Sequence, residues 1–153
     1  MTDKPMSGFD LNAFLPYQLA VAASRVSRAF AEVYQDRFGL SVAEWRVLAH
    51  LSQESAVSVR DIGERTDMDK PKVSRAVARL EAAGYLEKRP STADRRLLDL
   101  ALSDRGRALI EEIVPHARAF EQGLERELGE EAEIFRETLT ALVANRTMPL
   151  RKG

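Results

Sequence analysis

The chain has 153 residues, of which 44% are apolar and 31% charged, with no cysteine. That length suits one domain of ordinary size, or two small layers sharing a core. The missing cysteine excludes disulfides, thiolate metal sites, a cysteine nucleophile and a cysteine redox switch. No apolar stretch approaches the roughly 18 residues of a membrane helix, and the N-terminus lacks the basic-then-apolar order of a signal peptide, which fits a cytoplasmic protein.

In chain order, Leu11 to Phe38 reads as one long helix. Leu15, Leu19, Ala22, Val26, Ala29, Phe30 and Val33 recur at helical spacing, and Pro16 is tolerable in a first turn. Gly39 ends it. Ser41 and Glu44 form a capping box that opens a second helix through Leu51, with Trp45, Leu48 and Leu51 inward. Ser58 and Asp61 mark a third, short helix over about 59–65 that buries Ile62. Asp69 then caps a fourth, with Pro71 in its first turn and Gly84 just past its end. Two short helices separated by about four residues, the second carrying the charge, form a helix-turn-helix pattern.

The period then changes from helix to strand. Tyr85 to Arg89 reads as a strand and 90–93 as a turn region, while Leu98, Leu100 and Leu102 alternate with Asp99 and Ala101. The tip of this hairpin holds Asp94, Arg95 and Arg96. Two last helices are expected at about 104–127 and 130–147, separated at Gly129, with Pro115 kinking the first. Their apolar positions include Leu109, Ile113, Val114, Phe120 and Leu124, then Ile134, Phe135, Leu139, Leu142 and Val143. The first eight or nine residues and the last five are expected to fray. The expected architecture is mainly α with a small β-hairpin wing. Residues 41–102 form a winged helix-turn-helix, and long terminal helices over 10–38 and 103–147 form a dimerisation layer. Such helices are marginal alone, so their apolar stripes call for a second copy.

Net charge is −1, but it is unevenly spread. Lys70 to Arg96 holds eight basic side chains (Lys70, Lys72, Arg75, Arg79, Lys88, Arg89, Arg95, Arg96) against Glu81, Glu87 and Asp94, a net of +5 that leaves −6 on the rest. A positive footprint on a negative body can hold a polyanion on one face. Within the fourth helix Val73, Val77 and Leu80 are inward, and Ala76 fills a close contact. The other side presents Lys72, Ser74, Arg75, Ala78 and Arg79. A helix fits the major groove of DNA, where Arg75 and Ser74 suit base edges, while Lys72, Arg79 and Ser74 suit phosphates. At the wing tip Arg96 suits insertion into a narrow minor groove, with Asp94 orienting it and Arg95 on a phosphate.

At these residues the sequence resembles the MarR family of bacterial transcription regulators. The run from Val73 to Leu80, followed by Glu81 to Arg89, resembles the family's recognition helix and first wing strand. The run Asp94 to Gly106 resembles its wing and the start of the next helix, with Ser103 where threonine is more usual and Ser91-Thr92 where asparagine-proline is often found. Glu44 and Trp45 resemble its second helix. The resemblance spans about residues 10–147. It implies a dimeric winged helix protein that binds pseudo-palindromic operators in double-stranded DNA, usually as a repressor of a nearby gene. It also implies release by a small aromatic acid or phenol entering a cleft beside the winged unit. Two reading heads would then stand about one helical turn, roughly 34 Å, apart or a multiple of it. The family's cysteine-based peroxide sensing is excluded here.

Tyr17, Arg28, Arg46 and His50 are candidates for the effector wall, since Arg46 and His50 share one helix face and both suit an anionic ligand. The competing reading of that pair is structural hydrogen bonding between layers. His50 and His116 are the only histidines and form no close ligand cluster, so no metal and no cofactor are expected. No phosphate-cradling motif or nucleophile–base arrangement is present, so no enzyme activity is expected. The alternative to a DNA-binding regulator is a winged helix protein-interaction module without physiological DNA binding.

Overall fold

The computed structural model describes residues 8–145. The segments 1–7 and 146–153, which include most of the expected fraying and the last residues of the expected final helix, lie outside the described residues. Contacts divide the described residues into two units, which meet in sequence between Val114 and Pro115.

In the first unit a 3-10 turn over Leu11–Ala13, capped by the Asp10 carboxylate, precedes α1, Leu15–Phe38. The long N-terminal helix thus starts four residues later than its apolar pattern suggests. Phe14 is extended (φ −78°, ψ 110°), and Pro16 sits in the first turn of α1, where its missing N–H costs no helical bond. Gly39, left-handed at φ 66°, ends the helix. Helix α2, Val42–Gln53, opens on the full capping box: Glu44 N–H donates to Ser41 Oγ (3.1 Å) and Ser41 N–H donates to Glu44 Oε2 (3.2 Å). The same device opens α3, Val59–Thr66, with Asp61 in the role that glutamate plays in α2. Helix α4, Lys70–Ala82, is capped by Asp69, whose Oδ1 accepts Lys72 N–H at 2.9 Å.

Three strands form one antiparallel sheet in the order β1-β3-β2. Strand β1, Val57–Ser58, is a two-residue piece too short for any periodicity to reveal. It pairs with β3, Leu98–Leu102, which also pairs with β2, Leu86–Pro90, in the register Leu86↔Leu102. Tyr85 stays outside the strand expected to contain it. Leu100 and Leu102 are buried, but Leu98 is 51% exposed, so the expected apolar alternation holds only at the inner end of the wing.

The core of this unit joins Ala31 and Tyr34 of α1 to Val47, Leu48 and Leu51 of α2 and to Ile62 of α3. It continues through the inner face of α4, Val57 of β1, Leu100 and Leu102 of β3, and Leu109, Ile110 and Ile113. The last three belong to α5, Asp104–Leu128, which runs through Pro115 as one helix. Much of the apolar pattern of α1 does not enter this core: Leu15 and Val26 are exposed, and Leu19, Phe30 and Val33 only partly buried.

The joint between wing and α5 is unusually tight. A Cβ built on Gly106 would lie 2.0 Å from the Tyr85 carbonyl oxygen and 3.2 Å from a Leu102 methyl. Ser103 ties the same joint: its hydroxyl donates to Gly84 O (2.5 Å) and accepts Gly106 N–H (3.0 Å), and its own N–H donates to Tyr85 O (3.1 Å).

In the second unit α6, Ala132–Ala144, follows the rest of α5 after a 3-10 turn over Gly129–Glu131. Arg136 of α6 bridges Glu121 and Glu125 of α5. An apolar groove of about 480 Å³ runs between the two helices, lined by Leu124, Leu128, Phe135, Leu139 and Val143. Ile134, Phe135 and Val143 are exposed.

Because the neighbours of Gly106 are backbone, Gly106→Ala should destabilise the protein by about 3 kcal/mol in urea denaturation. Ser103→Thr, which keeps the hydroxyl, should cost less than about 0.5 kcal/mol. Equal stability of Gly106→Ala and the unsubstituted chain would contradict the close approach.

Candidate nucleic-acid interface

Helix α4 is divided cleanly into two sides. Val73, Ala76, Val77 and Leu80 are buried, as their spacing requires, and α4 packs chiefly against α2. Lys72, Ser74, Arg75, Ala78 and Arg79 are all exposed on the opposite side. The five side chains that the sequence singles out therefore lie on one solvent face, held there by the apolar packing of the other.

At the wing, residues 91–97 link β2 to β3, and Asp94, Arg95 and Arg96 are exposed at its tip. The tip is shaped from within by Ser91, which is only 7% exposed. Its Oγ faces Ala93 N–H (3.3 Å) and Asp94 N–H (3.4 Å), and its backbone N–H donates to Leu97 O (3.0 Å). A hydroxyl can hold a turn in this way as an asparagine does, which accounts for a wing without the usual asparagine-proline. The Asp94 carboxylate accepts the Arg96 backbone N–H at 3.0 Å and its carbonyl accepts Leu97 N–H. Asp94 thus fixes the Arg96 backbone, and among the described residues its carboxylate pairs with no guanidinium.

Ion pairing sorts the eight cations of 70–96 into two sets. Lys72 lies 3.8 Å from Asp69, Arg79 3.7 Å from Glu44, Lys88 3.6 Å from Glu81, and Arg89 2.7 Å from Glu87. Among the described residues Lys70, Arg75, Arg95 and Arg96 have no carboxylate within 4.0 Å. Glu44 is the participant that the sequence reading left out. Its cap was legible, but its approach to Arg79 depends on how α2 and α4 cross.

The four effector candidates do not converge within this chain. Tyr17 lines a shallow hollow on α1 with Gln18, Val21 and Arg25. It lies about 25 Å along the α1 axis from Tyr34. Arg28 is exposed on the same helix. Arg46 sits beside Tyr34, a buried phenol whose pKa is raised by burial and lowered less by the Arg46 charge. Tyr34 stacks on Trp45 at 5.6 Å, and Phe30 meets both edge-on, at 5.2 and 5.4 Å. This aromatic cluster is a feature that the apolar pattern alone reads as plain core. His50, one turn further along α2, faces Arg65 and Glu54, which pair with each other at 2.7 Å. Burial first, and then the Arg65 charge, hold the His50 pKa below its ordinary value, against a smaller opposing pull from Glu54. Among the described residues no group of three or more metal-ligating side chains occurs, and no helix is long and apolar enough to cross a membrane.

The family profile described as MarR family matches residues 38–97, the stretch from the end of α1 to the wing tip. The HTH-type transcriptional regulator TtmR of Methylorubrum extorquens (strain PA1) is 30% identical over 106 residues, 67% of this chain and 54% of that protein. The match thus spans about half the length of that curated relative. The crystal structure of the MarR family transcriptional regulator SPO1453 from Silicibacter pomeroyi DSS-3 is 31% identical, with a TM-score of 0.73 and coverage of 88% of this chain and 98% of that one. A structure addressing the regulation of DNA binding of Bordetella bronchiseptica BpsR by 6-hydroxynicotinic acid is 27% identical, with a TM-score of 0.77 and coverage of 91% and 99%. The chain belongs to the MarR family of winged helix transcriptional regulators.

The lowered His50 pKa makes folding sensitive to acid. The unfolded chain takes up a proton at about pH 6.5 that the folded chain binds only at lower pH, so stability falls as pH drops below about 6.5. His50→Gln should flatten that part of a stability-against-pH profile measured by urea denaturation. An unchanged slope would show that His50 titrates as it does in the unfolded chain.

Proposed function

We propose that this chain is a homodimeric, sequence-specific binder of double-stranded DNA that represses nearby genes in the cytoplasm. The observation that carries the reading is the sorting of cations, which among the described residues leaves Arg75 on the outward face of α4 and Arg95 and Arg96 at the wing tip without carboxylate partners. Exposed surface ion pairs contribute little to stability, about 0–1 kcal/mol. Unpaired arginines at a protruding tip contribute less still to folding, but they are ready to take phosphates and base edges.

In this reading α4 enters the major groove. Arg75 donates to the paired acceptors of guanine, and Ser74 reaches a base edge or phosphate. Lys72 and Arg79 contact phosphates, which set position without reading sequence. The wing lies along the neighbouring minor groove, with Arg96 inserted, Arg95 on the backbone, and Asp94 fixing the Arg96 main chain. A second copy covers the exposed apolar residues of α1, around Leu15 and Val26, and the groove of α5 and α6 around Phe135 and Val143. Residues 10–38 and 103–147 then act as the dimer layer for two winged units spanning 41–102. The two reading heads meet half-sites of a pseudo-palindromic operator, and occupancy of that operator blocks transcription.

A small anionic aromatic effector is the release signal we favour. Support comes from the charge of Arg46 acting on Tyr34, a member of the aromatic cluster with Phe30 and Trp45, and from the relation to BpsR, whose DNA binding 6-hydroxynicotinic acid regulates. His50 lies on the same side of α2, and Tyr17 and Arg28 would join only from the partner copy.

The test begins with duplexes selected by the protein from a random pool. Arg75→Ala should lose about 2 kcal/mol of discrimination between a selected site and random duplex. Equal losses on both would demote Arg75 to a phosphate contact. Arg96→Ala should weaken binding to the selected site at unchanged thermal stability, and unaltered affinity would remove the wing from the interface.

A further inference from the structure

The Glu44 carboxylate serves two contacts on two elements. Oε2 accepts Ser41 N–H at 3.2 Å and closes the capping box of α2. Oε1 lies 3.7 Å from the Arg79 guanidinium of α4. A capping box needs only the first of these. The second places a negative charge immediately behind the solvent face of α4. The Arg79 pair also differs from the other three pairs of 70–96. The carboxylates facing Lys72, Lys88 and Arg89 are 43–57% exposed and can swing away, whereas the Glu44 side chain is 10% exposed and held at both ends. Arg79 itself is 72% exposed, so the cation that faces solvent is tethered to a fixed anion.

We propose that Glu44 is a positioning residue that restrains Arg79 and thereby limits non-specific DNA binding. Affinity for random duplex comes almost wholly from phosphates neutralised by lysine and arginine, with release of their counterions. Arg79 must share or leave Glu44 to clamp a phosphate. The tether therefore weakens binding everywhere. On a specific site, contacts from Arg75 and Ser74 hold α4 in the groove regardless, so the loss is proportionally smaller and the specificity ratio rises. The inference rests on the DNA-binding reading above.

Glu44→Gln keeps an oxygen for Ser41 N–H and removes the charge. Dissociation constants for a random-sequence duplex, measured by fluorescence anisotropy across a salt series, should show Glu44→Gln binding about five-fold tighter. The slope of log affinity against log salt should steepen by about 0.9, the equivalent of one more phosphate. In an Arg79→Ala background the same substitution should change neither quantity, because a purely structural role of the cap would persist without Arg79. Unchanged or weaker binding by Glu44→Gln, or an equal gain without Arg79, overturns the proposal. Arg79→Ala alone gives a second reading that needs no change at Glu44. It should cost random-duplex affinity less than Arg95→Ala, the loss of an unrestrained phosphate contact, does, and a larger cost overturns the restraint. A wild-type chain that binds no duplex at low salt overturns the DNA-binding reading and this inference with it, whereas wild-type binding unaffected by Glu44→Gln overturns the inference alone.

Discussion

The start of α5 lies so close to the Tyr85 carbonyl that no side chain fits at position 106. That approach fixes the inner end of β2, the end of α4 and the first turn of α5 against one another, and Ser103 bonds to each side of the joint. The wing projects from this point. Its inner leucines, Leu86, Leu100 and Leu102, are anchored in the core, and its outer end is left in solvent. A tip that must carry charge away from the body needs such a base, since the tip itself buries little beyond Ser91.

The same division of labour holds in α4. Four buried apolar residues tie the helix down, and every polar side chain between them faces outward. The charges on that face do not hold the fold. They are arranged by it, and among the described residues the ion-pair pattern separates cations that face a carboxylate from those that do not. Glu44 connects the two roles, because its capping contact is part of the fold and its other oxygen bears on a residue of the proposed interface.

Much of this was legible in the sequence. Capping residues are local, so Ser41, Ser58 and Asp69 marked helix starts that the structure reproduces, and the inward set of α4 followed from 3.6-residue spacing. The misses share a physical cause. Strand β1 is defined by its pairing with β3, 43 residues away in the case of Val57 and Leu100, and not by any pattern of its own. Leu98 follows the strand alternation yet lies where the wing has left the core. The pairing of Glu44 with Arg79 and the grouping of Phe30, Tyr34 and Trp45 depend on how helices cross, which no single helix encodes. The wide apolar stripe of α1 was visible, but only Ala31 and Tyr34 are buried within the chain, and the remainder is what the dimer proposal must cover.

The proposed function makes α4 and the wing tip a surface for duplex DNA. The most direct measurement is the affinity of the unsubstituted protein for a random-sequence duplex as a function of salt. Binding by way of several phosphates predicts a steep linear fall of log affinity with log salt, at about 0.9 per phosphate neutralised. Absence of binding at low salt, or an affinity indifferent to salt, would contradict it and favour a winged helix that binds protein instead.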